Sequence, residues 1–191
     1  NGRSIVFRSQ TCEYVLAMAV LPIIVAPDPR LKVVSEPVSV VDDGIRALLD
    51  DMLASMYDAV GIGLAAIQVG VNKRIVVIDV VNDKGEQGNP VFLINPEIVW
   101  TSDDDRVHEE GCLSLPEHYA EVVRPDEVRV TYLDRDGEAQ ELHAAGILST
   151  CIQHELDHLE GILFVDHISS MRRNMILRKL KKLKRQNEPV R

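Results

Sequence analysis

Two histidines and a glutamate in the segment QHELDHLEG, residues 153–161, have a spacing that suits metal chemistry. His154 and His158 are four residues apart, so on a helix their side chains lie on one face, one turn apart. Glu155 lies between them, which gives the H-E-x-x-H pattern in which two imidazoles hold a metal and the carboxylate moves protons. A hydrolytic metal site needs three protein ligands and one open position, so the pattern requires a third ligand elsewhere.

The third ligand is not found downstream of the motif. Metzincin-like proteases place a histidine where this chain has Phe164, and thermolysin-like enzymes use a glutamate on a later helix, where residues 178–185 read RKLKKLKR. Upstream, the segment EEGCLSLP contains Cys112, whose thiolate would complete a Cys-His-His set. An isolated cysteine is usually a small buried hydrophobe, but beside this motif we expect Cys112 to bind the metal. Cys151, one turn before His154, is expected in the wall of the site, since a fourth protein ligand would close it.

The helix that carries the motif is predicted to pack through the middle of the domain. On residues 147–160, Ile147 and Cys151 share the face of the two histidines, whereas leucines and Ile152 lie on another face. A helix that is apolar on more than one side is buried, and polar groups on it are costly unless something satisfies them. A metal would satisfy them, which makes a chance occurrence of the motif on a solvated helix the weaker interpretation.

The remaining elements predict a single α+β domain. An amphipathic helix begins at a cap, Asp42 or Asp43, and ends before Gly61, and a last helix over 169–186 places Met175 or Ile176, Leu180 and Leu183 on one stripe. Strands are expected at 74–81 and 91–99, and a hairpin over 127–144 turns at residues 134–137. We therefore expect short antiparallel sheets around a central metal-binding helix, with an N-terminal and a C-terminal helix.

Charge and composition exclude several classes of protein. The 191 residues carry a net charge of −9, so the whole is no nucleic-acid binder by electrostatics, and DNA is not expected as a partner. Residues 172–191 nevertheless hold nine Lys/Arg against one acid, which leaves −17 on the rest. Three cysteines without regular spacing favour a reducing compartment, and no apolar run has the length of a membrane span.

The domain boundaries follow from the ends of the chain. The apolar run after residue 13 resembles a short signal peptide, but Pro22 interrupts it and the chain begins with Asn. We interpret Met18 as the natural start and residues 1–17 as an artificial or upstream remnant. Residues 18–170 would form the catalytic domain, and 171–191 a basic helix and tail belonging to it.

Three motifs in order resemble the peptide deformylase family. They are GIGLAAIQ at 61–68, EGCLSLP at 110–116 and QHELDHLEG at 153–161, and the resemblance extends from about Leu21 through the C-terminal helix. The last motif is shared with many proteases, but the trio is specific. Ile67 departs from the family, in which proline is common at this position.

The resemblance implies a role for each motif. Cys112, His154 and His158 would bind a metal, Glu155 would take and return a proton, and the Gln68 side chain with the Leu113 N–H would stabilise the oxyanion. Further residues are expected in the substrate pocket: Ile62, Gly63, Glu110, Gly111, Ile147 and Cys151, with Thr150 flanking them. Gly61 and Arg124 would support the site, Arg124 by pairing with Glu110. The other four histidines, His108, His118, His143 and His167, have no ligand spacing and are expected as surface or core polar residues.

The same resemblance implies the reaction and its partners. A deformylase removes the formyl group from the N-terminal formyl-methionine of a nascent polypeptide and releases formate. One divalent ion is expected: Fe²⁺, for which the family is known in its active form, with Zn²⁺, Ni²⁺ or Co²⁺ as substitutes. Ribosome docking through the basic C-terminal helix is a hypothesis, and a cytoplasmic bacterial location is expected, with an organelle as the alternative. The rivals are a metal-dependent endopeptidase, which lacks a downstream ligand, and a structural metal-binding module, which leaves Glu155 and Gln68 without a role.

Overall fold

A computed structural model describes residues 19–80 and 88–187. The predicted start at Met18 and the proposed remnant 1–17 lie outside the described residues, so the domain boundaries stay predictions. The helices are α1 (Asp43–Asp58), α2 (Gly146–Leu159) and α3 (Ser170–Asn187). The strands are β1 (Gly63–Ala65), β2 (Ile75–Ile78), β3 (Val91–Thr101), β4 (Asp105–Gly111), β5 (Tyr119–Pro125), β6 (Glu127–Leu133) and β7 (Ala139–Ala145). Short 3-10 helices occupy Pro29–Lys32, Ala66–Val69 and Phe164–Asp166.

The strands form two antiparallel sheets. The larger has the order β1-β2-β3-β6-β7, and β4 pairs with β5 in a separate two-stranded sheet. The expected hairpin is β6 and β7, whose turn closes with the Gly137 N–H donating to the Asp134 carbonyl at 3.0 Å. The α+β architecture with helices at both ends is confirmed.

The core explains why a continuous apolar run becomes a strand. Val76 and Ile78 of β2 pack in a cluster with α2, whereas Ile75 and Val77 pack in a cluster with α1. Because successive side chains of a strand point to opposite faces, β2 is buried on both sides by the two helices. Because β1 pairs with β2 at the edge of the sheet, the packing of α2 against β2 also fixes the position of α2 relative to β1.

The predicted helices are present with small changes. The Asp42 side chain caps α1 by accepting from the Ile45 N–H at 2.9 Å, and α2 runs through the interior as expected. On α3 only part of the expected stripe is covered: Leu180 is buried, but Leu183 is 48% exposed. No described helix is long and apolar enough to cross a membrane.

Candidate active site

Two chain segments bring the three candidate ligands together. Helix α2 presents His154 and His158, and Cys112 follows directly on the end of β4. Their ligand atoms all lie within 4.8 Å of one another, with Cys112 Sγ 3.2 Å from His158 Nε2. The thiolate and imidazoles that the sequence singled out therefore converge on one point.

The donor set fits a divalent metal ion. The His154 Nδ1 is engaged by Glu110 at 2.8 Å, which leaves its Nε2 for a metal and follows the usual carboxylate–histidine arrangement. His158 is fully buried, and its Nδ1 has no partner within the described part of the chain. Burial lowers the pKa of His158 well below its ordinary value and so favours the neutral imidazole that metals bind. Three protein ligands with room for a fourth is the pattern of a catalytic site.

A buried ion network supports His154 from behind. The Arg124 guanidinium donates to Glu110 Oε2 at 3.0 Å and pairs with Asp157 Oδ2 at 2.9 Å. The side chains of Glu110 and Arg124 are 3% and 7% exposed. Burial by itself would raise the pKa of Glu110, but hydrogen bonds from His154 and Arg124 outweigh it and lower the pKa to about 2. The carboxylate therefore stays charged and holds the imidazole in one orientation.

Glu155 combines deep burial with an open hydrogen-bonding capacity. Its Oε2 has no hydrogen-bond partner among the described residues. Burial is the main reason that the pKa of Glu155 rises to about 7. A carboxyl group that titrates near neutrality can both accept and return a proton. The edge strand lies close: a Cβ built on Gly63 would come 2.5 Å from Glu155 Oε1.

Gln68 is held so that its amide nitrogen faces the site. It lies on the 3-10 helix after β1, where its Oε1 accepts from the Ala65 N–H at 2.8 Å. Its Nε2 donates to Ser114 Oγ at 3.1 Å and lies 3.6 Å from Cys112 Sγ. The Leu113 N–H, on the same segment as Cys112, has no acceptor among the residues described. Two donors thus flank the candidate ligands.

A cavity of about 680 Å³ opens beside these groups. All six residues expected in the substrate pocket line it, as do Gly61, Thr150, Gln68, Leu113, Cys112, His154 and Glu155. Ile62 and Ile147 are 39% and 38% exposed at its walls, and Cys151 is buried, which raises the pKa of its thiol. His158 and Arg124 are buried and are not among the lining residues.

Several residues around the site were missed by the sequence interpretation. Ser114 holds the Gln68 amide, and Asp157 provides the second carboxylate for Arg124. His108 and His118, expected only as surface or core polar residues, line the cavity, as does Tyr119. Asp157 was visible within the H-E-x-x-H motif, but nothing in the sequence indicates that it faces Arg124.

Comparison with known proteins assigns the family. The model of the family described as polypeptide deformylase matches residues 20–174. The peptide deformylase of Mesorhizobium japonicum is 54% identical over 172 residues, covering 90% of this chain and 97% of that protein. A structure of the Ehrlichia chaffeensis peptide deformylase in complex with actinonin is 44% identical, with a TM-score of 0.84 over 88% of this chain and 99% of that one. A Met-Ala-Ser-bound structure of the class I type b enzyme from Acinetobacter baumannii is 37% identical, with a TM-score of 0.74 over 79% of this chain and 99% of that one. The chain therefore belongs to the polypeptide deformylase family.

Proposed function

We propose that Cys112, His154 and His158 hold one divalent ion and that Glu155 is the proton carrier of this deformylase. The family activity is the removal of the formyl group from the N-terminal formyl-methionine of newly synthesised polypeptides, with release of formate. The single observation that carries the proposal is the convergence of three ligand atoms within 4.8 Å beside a buried, unpartnered carboxylate, counting only described residues.

Glu155 would manage the protons of the hydrolysis. A divalent ion at the site supplies a Lewis acid that lowers the pKa of a water molecule. Glu155 accepts the proton of the attacking water, whose oxygen bonds to the formyl carbon. When the C–N bond breaks, Glu155 returns the proton to the methionine nitrogen, and formate and a free amine leave. Glu155 directly follows the candidate ligand His154 in the chain, and its Oε2, unpartnered among the described residues, would be the atom that accepts and returns this proton.

Gln68 and Leu113 would stabilise the oxyanion that forms on the formyl oxygen. The Gln68 amide cannot turn freely, because Ala65 and Ser114 engage its two ends. A preorganised donor of this kind lowers the activation barrier by roughly 3 kcal/mol. The Leu113 N–H, on the segment that follows β4, would act as the second donor.

The substrate pocket would accept the methionine side chain. Ile62, Ile147 and Cys151 give the cavity apolar walls suited to a flexible, uncharged thioether. The Acinetobacter baumannii relative with Met-Ala-Ser supports a peptide with N-terminal methionine in this family's site. Gly63 and Gly111 line the same cavity, and the missing side chain of each leaves room for a neighbouring wall residue, Glu155 beside Gly63 and Tyr119 beside Gly111.

For the metal we propose Fe²⁺, with Zn²⁺, Ni²⁺ or Co²⁺ able to substitute. Imidazole suits all four ions, and thiolate does not exclude any of them. Metal analysis of protein purified without oxygen would identify the ion. An iron–thiolate set is sensitive to oxidation, so activity lost in air and restored by fresh Fe²⁺ supports the assignment, and an air-stable zinc protein with full activity contradicts it.

We further propose a cytoplasmic location and ribosome docking through α3. The helix buries Ile176 and Leu180 and leaves Lys181, Lys182 and Arg185 exposed, which suits the phosphates of RNA. Reversing the three exposed charges to glutamate leaves the buried stripe intact. Co-sedimentation with ribosomes should then fall, and binding by the unchanged protein should weaken as salt rises. Equal co-sedimentation of both proteins would contradict docking.

The activity itself is tested by formate release from a formyl-Met tripeptide. The assay is run anaerobically with iron or nickel, beside an acetyl-Met tripeptide and an unblocked protein. Formate from the first substrate alone is expected. The matched variant Glu155→Gln should retain its metal and lose about 10²–10⁴-fold in kcat. Cleavage of the protein substrate without formate would favour an endopeptidase instead.

A further inference from the structure

A second cavity, of about 730 Å³, continues the wall of the active-site cavity. The two cavities share Ile23, Pro116 and Glu117. From this shared wall the second cavity extends to the C-terminal helix, where Leu183 lines it. Glu117 adopts a φ of 62° at the junction, a left-handed conformation that is uncommon for a residue other than glycine. A chain leaving the catalytic cavity past this junction would enter the second cavity.

The N-terminal segment offers this cavity unused backbone donors. The Ile24 N–H donates to the Gln68 carbonyl at 2.7 Å, and the Ala26 N–H donates to the Ser114 carbonyl at 2.9 Å. This alternation indicates extended backbone, in which the N–H groups of Ile23 and Val25 point the other way. Neither of these has an acceptor among the described residues, and both residues line the second cavity. The segment is therefore a short strand edge with one side free.

The second cavity is lined by apolar side chains together with four charged ones, Asp28, Arg30, Glu117 and Lys184, a mixture that suits an occupant of no fixed sequence. Val25 is 38% exposed and Leu183 is 48% exposed, although α3 is otherwise packed down through Leu180. Main-chain donors bind any polypeptide regardless of its sequence, and alternate apolar contacts add affinity. A deformylase must accept newly made chains of many sequences, which requires recognition of this kind.

We propose that the second cavity binds the substrate polypeptide downstream of its first three residues, as an extended strand against Ile23 and Val25. This proposal rests on the proposed deformylase function. It predicts that substrate length affects binding, whereas the chemical step depends only on the formylated end. A formylated decapeptide should then have a KM about fivefold below that of a tripeptide with the same first residues, which corresponds to about 1 kcal/mol of binding free energy.

The test compares two variants of α3 on two substrates. Leu183→Glu places a charge in the second cavity, and Met175→Glu changes a side chain of the same helix that is 50% exposed and does not line it. The substrates are formyl-Met-Ala-Ser and a formylated decapeptide that begins with the same three residues. We expect Leu183→Glu to raise the KM of the decapeptide to that of the tripeptide, with kcat and the tripeptide KM unchanged. Met175→Glu should behave as the unchanged protein does.

A second substitution in the same cavity provides an independent check. Val25→Glu, which changes the N-terminal segment that also lines the cavity, should reproduce the effect of Leu183→Glu. A decapeptide KM equal to the tripeptide KM in the unchanged protein would overturn the proposal, as would an equal effect of Leu183→Glu on both substrates. A change of oligomeric state in Leu183→Glu without any effect of substrate length would assign the cavity to self-association instead. Absence of formate from the tripeptide would refute the deformylase function itself, a result distinct from these.

Discussion

Replacing Gly63 with alanine is the sharpest test of how the fold places the proton carrier. Gly63 opens β1, and its missing side chain leaves the space that Glu155 and Cys151 occupy. A Cβ there would lie 2.5 Å from Glu155 Oε1 and 2.8 Å from Cys151 Sγ. Ordinary van der Waals contacts are about 3.5 Å, so the carboxylate must move by roughly 1 Å. A misplacement of that size costs about 100-fold in rate.

The assay for Gly63→Ala separates catalysis from folding. Steady-state formate release with saturating metal gives kcat and KM, urea unfolding gives stability, and metal analysis reports site occupancy. We expect kcat to fall about 100-fold, a loss of about 1–3 kcal/mol in the free energy of unfolding, and full occupancy. The control Gly44→Ala adds a Cβ 3.2 Å from Asp42 Oδ1, far from the chemistry, and should keep kcat. An unchanged kcat in Gly63→Ala would refute the assigned position of Glu155, and a change in KM alone would make Gly63 a substrate-binding residue only.

Three further predictions concern stability, pH and metal. Replacing Arg124 with methionine should lower the free energy of unfolding, measured in urea, by about 3–5 kcal/mol, because Glu110 stays buried without the guanidinium that balances its charge. Burial and the bond to Asp79 raise the pKa of Tyr57 from 10.0 to about 12. The neutral phenol therefore stabilises the fold below pH 10, and this contribution disappears as the pH rises to 12. Tyr57 is 39% exposed, so solvent screening reduces this loss of stability to about 1 kcal/mol. Urea titrations at pH 10 and pH 12 should show the loss in the unchanged protein and not in Tyr57→Phe. Chelating the metal should stop formate release and lower the melting temperature by roughly 5–10 °C, because an ion at 100 times its Kd contributes about 2.7 kcal/mol to stability. In Cys112→Ser, which lacks one candidate ligand, chelation should lower the melting temperature by less.

The longer helices and strands were predictable because the spacing of their apolar residues indicates which faces are buried. Helix α2 carries apolar residues on two faces, and β2 is an unbroken apolar run. Strand β1 was missed because three residues, Gly63–Ala65, are too short to show a period. The β4–β5 pair was missed because its apolar residues are separated by charges and its two strands flank the segment that was interpreted only as a ligand loop.

Long-range contacts were the part that the sequence could not provide. The stripe on α3 included Leu183, but periodicity cannot show how far a neighbouring segment covers a helix. Cys112 could be predicted as the third ligand by elimination, since the downstream alternatives lack donor atoms, and its Sγ lies within 4.8 Å of the ligand atoms of the two histidines. The link between Arg124 and Asp157 joins β5 to α2 and has no local signal. Charge and spacing therefore indicated which candidate residues would lie together, but not the network of ion pairs around them.

The Arg124 prediction distinguishes a supporting network from a mere surface ion pair. Arg106→Met is the matched control, because it removes an arginine from a pair with Asp126 in which the side chains are 51% and 30% exposed, and it should leave the urea midpoint nearly unchanged. If Glu110 orients His154, Arg124→Met should also weaken metal binding by about 10–100-fold, which Arg106→Met should not. Adding Glu110→Gln to Arg124→Met removes the stranded charge and should recover stability without recovering metal affinity. Equal losses in the two single variants would show that burial of this pair is not what stabilises the site.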